Sequence, residues 1–141
     1  YHAQNLIKVG NKIGVIDSQD ALIGNPAYDL VSLIDDVRIK TSKELKNNIY
    51  NYYLKRAPRI YRIKSKKFFE DFSILSVQRS LKIIGIFSRL FQRDKKKQYL
   101  KFIPYAWQLL EMRMNVKIFL KLKKIIDHNI PKKFRKRMIN K

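Results

Sequence analysis

Asn5 and Asp17 are the side chains whose types and spacing first suggest chemistry. Asn5 opens the run Asn5-Leu6-Ile7-Lys8-Val9, and Asp17 closes the run Ile13-Gly14-Val15-Ile16-Asp17. The residues between them, Gly10-Asn11-Lys12, suit a tight turn, so the two runs read as a β-hairpin. A hairpin sets the start of its first strand beside the end of its second, which brings an amide oxygen and a carboxylate to one mouth. Two hard oxygen donors suit Mg²⁺. The same two residues also read as a turn cap and a strand end, and their spacing alone does not choose between the readings. Cysteine is absent, which removes thiol nucleophiles, disulfide scaffolds and cysteine-ligated zinc and favours a reducing, cytoplasmic setting.

The elements that must position this pair are mostly helical in period. Asn25 suits an N-cap and Pro26 a first helical position, with Tyr28, Leu30, Val31, Leu33, Ile34 and Val37 following at helical spacing. After Thr41-Ser42, a second helix carries Leu45, Ile49, Tyr52 and Tyr53 inward and stops before Pro58. A long helix over about 66–91 places Phe68, Phe72, Leu75, Ile83, Phe87 and Leu90 on one side. Asp94 to Lys97 is the turn after it. Tyr99 to Met112 and Val116 to Ile126 are the last two helices expected, and Pro131 ends the ordered part. Phe68, Phe72, Phe87 and Trp107 are core candidates. The fold class expected is mainly α with a short N-terminal hairpin.

The 141 residues carry 45% hydrophobic side chains and a formal net charge of +21, so one packed domain, or a large piece of one, is expected. The charge is uneven: residues 1–36 hold two basic against five acidic side chains, and residues 37–141 hold thirty against six. Lysine outnumbers arginine 22 to 10, and there are 19 isoleucines but only 5 alanines. That usage follows from coding sequence drifting toward A and T. Clustered aromatic and basic nucleic-acid signatures are missing, so no specific nucleic-acid partner is expected, and no membrane span. Gln78, Lys82, Gly85, Arg89 and Arg93 share one helix face, open to an anionic ligand or simply to solvent. Gly85 would permit close approach of a neighbouring element.

Three blocks occur in order: Tyr1-His2-Ala3-Gln4-Asn5-Leu6-Ile7, then Gly14-Val15-Ile16-Asp17-Ser18-Gln19-Asp20-Ala21, then Gly24-Asn25-Pro26-Ala27-Tyr28-Asp29-Leu30-Val31-Ser32-Leu33. Together they resemble the C-terminal lobe of the aminoglycoside phosphotransferase and choline kinase superfamily, which is protein-kinase-like. Within it, Gln78 to Leu90, Arg93-Asp94-Lys95-Lys96, Tyr99-Leu100 and Pro104 are similar to bacterial phosphotransferases of the N-acetylmuramate/N-acetylglucosamine anomeric kinase type. The resemblance covers residues 1 to about 112.

The resemblance implies an ATP- and Mg²⁺-dependent kinase acting on a sugar hydroxyl in cell-wall sugar recycling, with choline, another sugar or an aminoglycoside as alternative substrates. A non-catalytic basic module contacting RNA or anionic lipid is the reading outside that class. Asn5 and Asp17 would be the metal ligands, and the catalytic base would stand one position before Tyr1. His2 would orient the catalytic loop or pack as a structural histidine, Asp20 would support the site or sit in a solvated turn, and Asp29 would fix a loop to its helix. Ser18 stands where an aromatic residue commonly follows the metal aspartate, which loosens the expected support of Asp17. The lobe is expected over 1–130 and a basic, solvated tail over 131–141. Without the base and the N-terminal lobe, the chain alone is expected to be inactive.

Overall fold

The computed structural model describes residues 2–19, 22–57 and 64–136. Among them, the chain is mainly helical with one antiparallel hairpin at its N-terminus, and no helix is long and apolar enough to cross a membrane. Two compact units follow each other, Tyr1–Phe72 and Ser73–Lys141.

In the first unit, strands β1 (Leu6–Val9) and β2 (Lys12–Val15) pair in the register Leu6 to Val15 and Val9 to Lys12. Gly10 takes φ +57 at the turn, which a glycine reaches without steric cost. A 3-10 turn over Ala3–Asn5 leads into β1. Helix α1 (Ala27–Ile34) buries Ala27, Leu30, Val31 and Ile34. Its start is set by Asn25, whose Oδ1 accepts the Ala27 N–H at 2.9 Å while its Nδ2 donates to Asp71 at 2.9 Å. Helix α2 (Lys43–Arg56) is capped by Ser42, which accepts the Leu45 N–H, and it ends before Pro58 as expected. Helix α3 (Ser65–Asp94) begins in this unit, where Phe68 stacks on Tyr53 and Phe72 meets Tyr50 edge-on.

Two expectations are corrected here. Val37 is buried but lies outside α1, because Asp36 Oδ1 accepts the Arg38 N–H and turns the chain just after the helix ends. Leu45 and Tyr52 of α2 face solvent; the inward face carries Lys46, Ile49, Tyr50, Tyr53 and Leu54 instead. The charge on Lys46 hides this face from a hydrophobic pattern.

The second unit holds the rest of α3 and helices α4 (Ile103–Arg113), α5 (Leu120–Asn129) and α6 (Lys132–Arg135). Its core gathers Val77, Trp107, Leu110, Met114, Phe119 and Ile126. The helix expected from Tyr99 is instead a 3-10 stretch over Lys97–Phe102 followed by α4. Pro104 has no N–H to give the Leu100 carbonyl, so an α-helix cannot run through it, and it sits in the first turn of α4. The segment after Val116 likewise begins as a 3-10 turn, Lys117–Phe119.

Pro131 does not end the ordered part. Arg135 is buried and donates to the carbonyls of Ile130 at 2.7 Å and Ile126 at 3.0 Å. Its guanidinium also pairs with Asp127 at 2.7 Å and Glu111 at 2.9 Å and lies over the Trp107 ring. The planar fork reaches the Ile130 carbonyl just past α5 and shares the Ile126 carbonyl with the Ile130 N–H. One residue of the expected basic tail thus locks the last helices together.

Candidate functional site

The hairpin brings Asn5 and Asp17 together. Antiparallel pairing continues one step past the strands, with the Ile16 N–H donating to the Asn5 carbonyl at 2.9 Å. The next residue, Asp17, takes φ +64, a left-handed conformation that aspartate tolerates better than most side chains. Asn5 Nδ2 donates to Asp17 Oδ2 at 3.1 Å. Asn5 itself is buried and fixed on both sides: its N–H donates to the His2 carbonyl, and its Oδ1 accepts the His2 N–H at 3.1 Å. Asp17 is exposed.

Ser18 leaves the aspartate without an aromatic neighbour in sequence, and a different residue steadies it. Gln19 Nε2 donates to Asp17 Oδ1 at 2.7 Å, so each carboxylate oxygen has a donor. In the sequence Gln19 figures only in the block that carries the resemblance, although an amide two positions beyond a carboxylate in a turn is a signal of such a role. His2 lies beside the pair through its backbone, and its Nδ1 is buried with no hydrogen-bond partner. Asp20 falls outside the described residues. Asp29 sits exposed in the first turn of α1, where the helix dipole favours a carboxylate.

The oxygen types suit a hard divalent cation, with the Asn5 amide turning its Nδ2 to Asp17 and its Oδ1 to the His2 N–H. The Asp17 carboxylate is anionic and open to solvent, and Asn5 Oδ1 keeps a second lone pair beside the one that His2 occupies. Two protein oxygens leave most of an octahedral shell to water and substrate oxygens, the manner in which Mg²⁺ is usually held.

The cationic face expected on α3 is present as an exposed face: Gln78, Lys82, Gly85, Arg89 and Arg93 are all solvent-facing. A shallow hollow of about 230 Å³ is lined by Leu81, Lys82, Gly85, Ile86 and Arg89. A Cβ at Gly85 would meet nothing within 4 Å, so no described element makes the close approach expected there. Arg93 is engaged by Asp94, bonding through Nε at 2.6 Å, and this hydrogen bond holds the Asp94 carboxyl below its ordinary value.

A second polar arrangement escaped sequence reasoning. The ammonium of Lys46 meets Asp35 Oδ1 at 3.1 Å and donates to the Ile34 carbonyl, with Lys46 5% and Asp35 1% exposed at their side chains. It ties α2 to the end of α1.

Comparison with known proteins places these residues in a wider setting. Residues 1–63 match the phosphotransferase enzyme family. The chain is similar to the N-acetylmuramate/N-acetylglucosamine kinase of Caulobacter vibrioides, 33% identical over an alignment of 136 residues that covers 93% of this chain and 37% of that protein. Proteins of the same name are similar in Neisseria meningitidis, at 37% identity over 72% of this chain and 31% of the relative, and in Pseudomonas aeruginosa, at 36% over 79% and 34%. The chain thus spans about a third of the length of the curated relatives it matches.

Proposed function

We propose, from the premise that this chain belongs to the phosphotransferase enzyme family over residues 1–63, that it is the helical C-terminal lobe of a cytoplasmic kinase phosphorylating an amino-sugar hydroxyl. The hydroxyl is the anomeric one, and the product enters cell-wall sugar recycling. The observation that carries this reading is the convergence of Asn5 Nδ2 on Asp17 Oδ2 at 3.1 Å in a chain whose relatives bear a sugar-kinase name. In this reading Asp17 and Asn5 would hold Mg²⁺, with ATP as the phosphoryl donor. Bound there, the ion would neutralise charge that develops on the transferred phosphoryl group.

The chain's own residues supply position. Gln19 and Asn5 fix the rotamer of Asp17, and His2 fixes Asn5 through its backbone N–H, so the two oxygens are held before any ligand arrives. The base that accepts the hydroxyl proton stands, by the family's spacing, five positions before Asn5. The activity proposed is that of a protein that joins such a base and a nucleotide-binding lobe to these residues.

The test is Asp17→Asn in that protein. Asparagine keeps the shape and tolerates the left-handed backbone, so the variant removes charge and little else. Single-turnover transfer from ATP to N-acetylmuramate and N-acetylglucosamine should fall by orders of magnitude with the unfolding midpoint unchanged. Near-normal transfer at an unchanged midpoint would remove the metal role. Choline and kanamycin, assayed alongside, decide the substrate class: preference for either one overturns the amino-sugar assignment.

A further inference from the structure

From Arg113 to Lys136, nine basic side chains accompany a single acid, Asp127, and Arg135 pairs with that acid at 2.7 Å. The remaining lysines have no acid of their own in this stretch. The large apolar side chains of the same stretch divide. Phe119 and Ile126 enter the core, whereas Ile118, Leu120 and Ile125 each stay 59% exposed and Phe134 stays 55% exposed.

The seven-residue spacing of Ile118 and Ile125 returns them to one side. Ile118 stands in the 3-10 turn that leads into α5, seven residues before Ile125 with Lys121 between them, and Leu120 and Lys124 form an adjoining i,i+4 strip of α5. On α6 the Lys133 ammonium lies 5.1 Å from the centre of the Phe134 ring. The outward surface therefore alternates bulky apolar groups with ammonium groups.

Each candidate occupant meets half of this pattern or all of it. Solvent accounts for the lysines but not for four exposed large apolar side chains. RNA supplies phosphates, and its bases stack on aromatic rings, so Ile118 and Ile125 gain nothing from it. The surface of an anionic bilayer supplies phosphates for the ammonium groups and an acyl boundary for the isoleucines, while lysine stems snorkel between the two. We propose that the outward face of α5, with Ile118 of the turn that leads into it, docks on anionic phospholipid at a membrane surface.

Co-sedimentation of the full chain with phosphatidylglycerol/phosphatidylcholine vesicles, and with phosphatidylcholine vesicles alone, tests this. Binding is expected to the anionic vesicles only. The Ile118→Ser/Ile125→Ser variant should lose about tenfold in affinity through the apolar contact, and Lys121→Gln/Lys124→Gln a similar factor through charge. The charge-matched control Lys95→Gln/Lys96→Gln, at the turn after α3, should bind like the parent chain. All three variants sit at exposed positions, and circular dichroism confirms that each keeps its helix content. If the control loses as much as the α5 lysine variant and the isoleucine variant binds like the parent, attraction is a general property of a +21 chain and the inference fails. It fails equally if the parent ignores anionic vesicles, or if poly(U) is the polyanion whose binding Ile118→Ser/Ile125→Ser weakens.

Discussion

Lys46 illustrates how much one side chain decides at the residue scale. Its ammonium and the Asp35 carboxylate are both out of water, 3.1 Å apart. Lys46→Met fills the same space but removes a buried cation from beside Asp35, which should cost up to about 3 kcal/mol in denaturant unfolding. Adding Asp35→Asn should recover part of that loss; no recovery would mean that the lysine acts by packing alone. Asp127 makes a prediction about pH. The hydrogen bond from Arg135 holds its carboxyl below the ordinary 3.8, and on Arg135 burial is outweighed by the bonds to Asp127 and Glu111, so its pKa rises. A folded-state pKa below the unfolded one means the stabilisation is present above the ordinary carboxylate range and is lost as pH falls through the lowered value. Unfolding midpoints should therefore drop on acidification below about pH 4, and Asp127→Asn should flatten that drop. An equally steep drop in the variant would assign the acid sensitivity to other carboxylates.

At the scale of elements, the helix starts are specified locally and tied down at a distance. Ser42 caps α2 with one bond to the Leu45 N–H, so Ser42→Ala should cost about 1 kcal/mol. Asn25 does more, accepting the Ala27 N–H with its oxygen and donating to Asp71 on α3 with its nitrogen. Asn25→Ala should cost more than Ser42→Ala by a measurable margin, and Asn25→Asp, which keeps the acceptor but sets like charges together, should fall no closer to the parent than Asn25→Ala. Equal losses for the two alanine variants would show the link to α3 to be energetically idle. The hairpin behaves differently from the helices. Ile7, Val9, Ile13 and Val15 remain exposed on it, and a two-stranded ribbon gains little stability by itself, so its value lies in the register that sets Asn5 opposite Ile16 and next to Asp17.

At the scale of the whole molecule, charge dominates. With +21 spread over 141 residues and concentrated after residue 36, random RNA should bind weakly at physiological ionic strength, with affinity falling steeply as salt rises and no preference among sequences. Filter binding across a salt series checks this, and tight sequence-selective binding would contradict it. The relatives' greater length bears on the same scale, since the exposed hairpin and the open α3 face belong to a chain that matches about a third of each relative.

Much of this architecture follows from short-range rules that can be read along the chain. Gly10-Asn11 makes a turn, Asn25 and Ser42 make caps, the phenylalanine period of α3 makes a buried stripe, and the hairpin register then forces Asn5 and Asp17 together. The residues that escaped such reading share one trait: their surroundings come from elsewhere in the chain. Lys46 is buried because Asp35 and the Ile34 carbonyl meet it, and Arg135 is buried because Glu111, Asp127 and the carbonyls of Ile126 and Ile130 receive its hydrogen bonds. Hydrophobic periodicity assigns every charge to solvent, since burying an ion without a partner is prohibitive. Packing alone brings the partner and reverses that assignment.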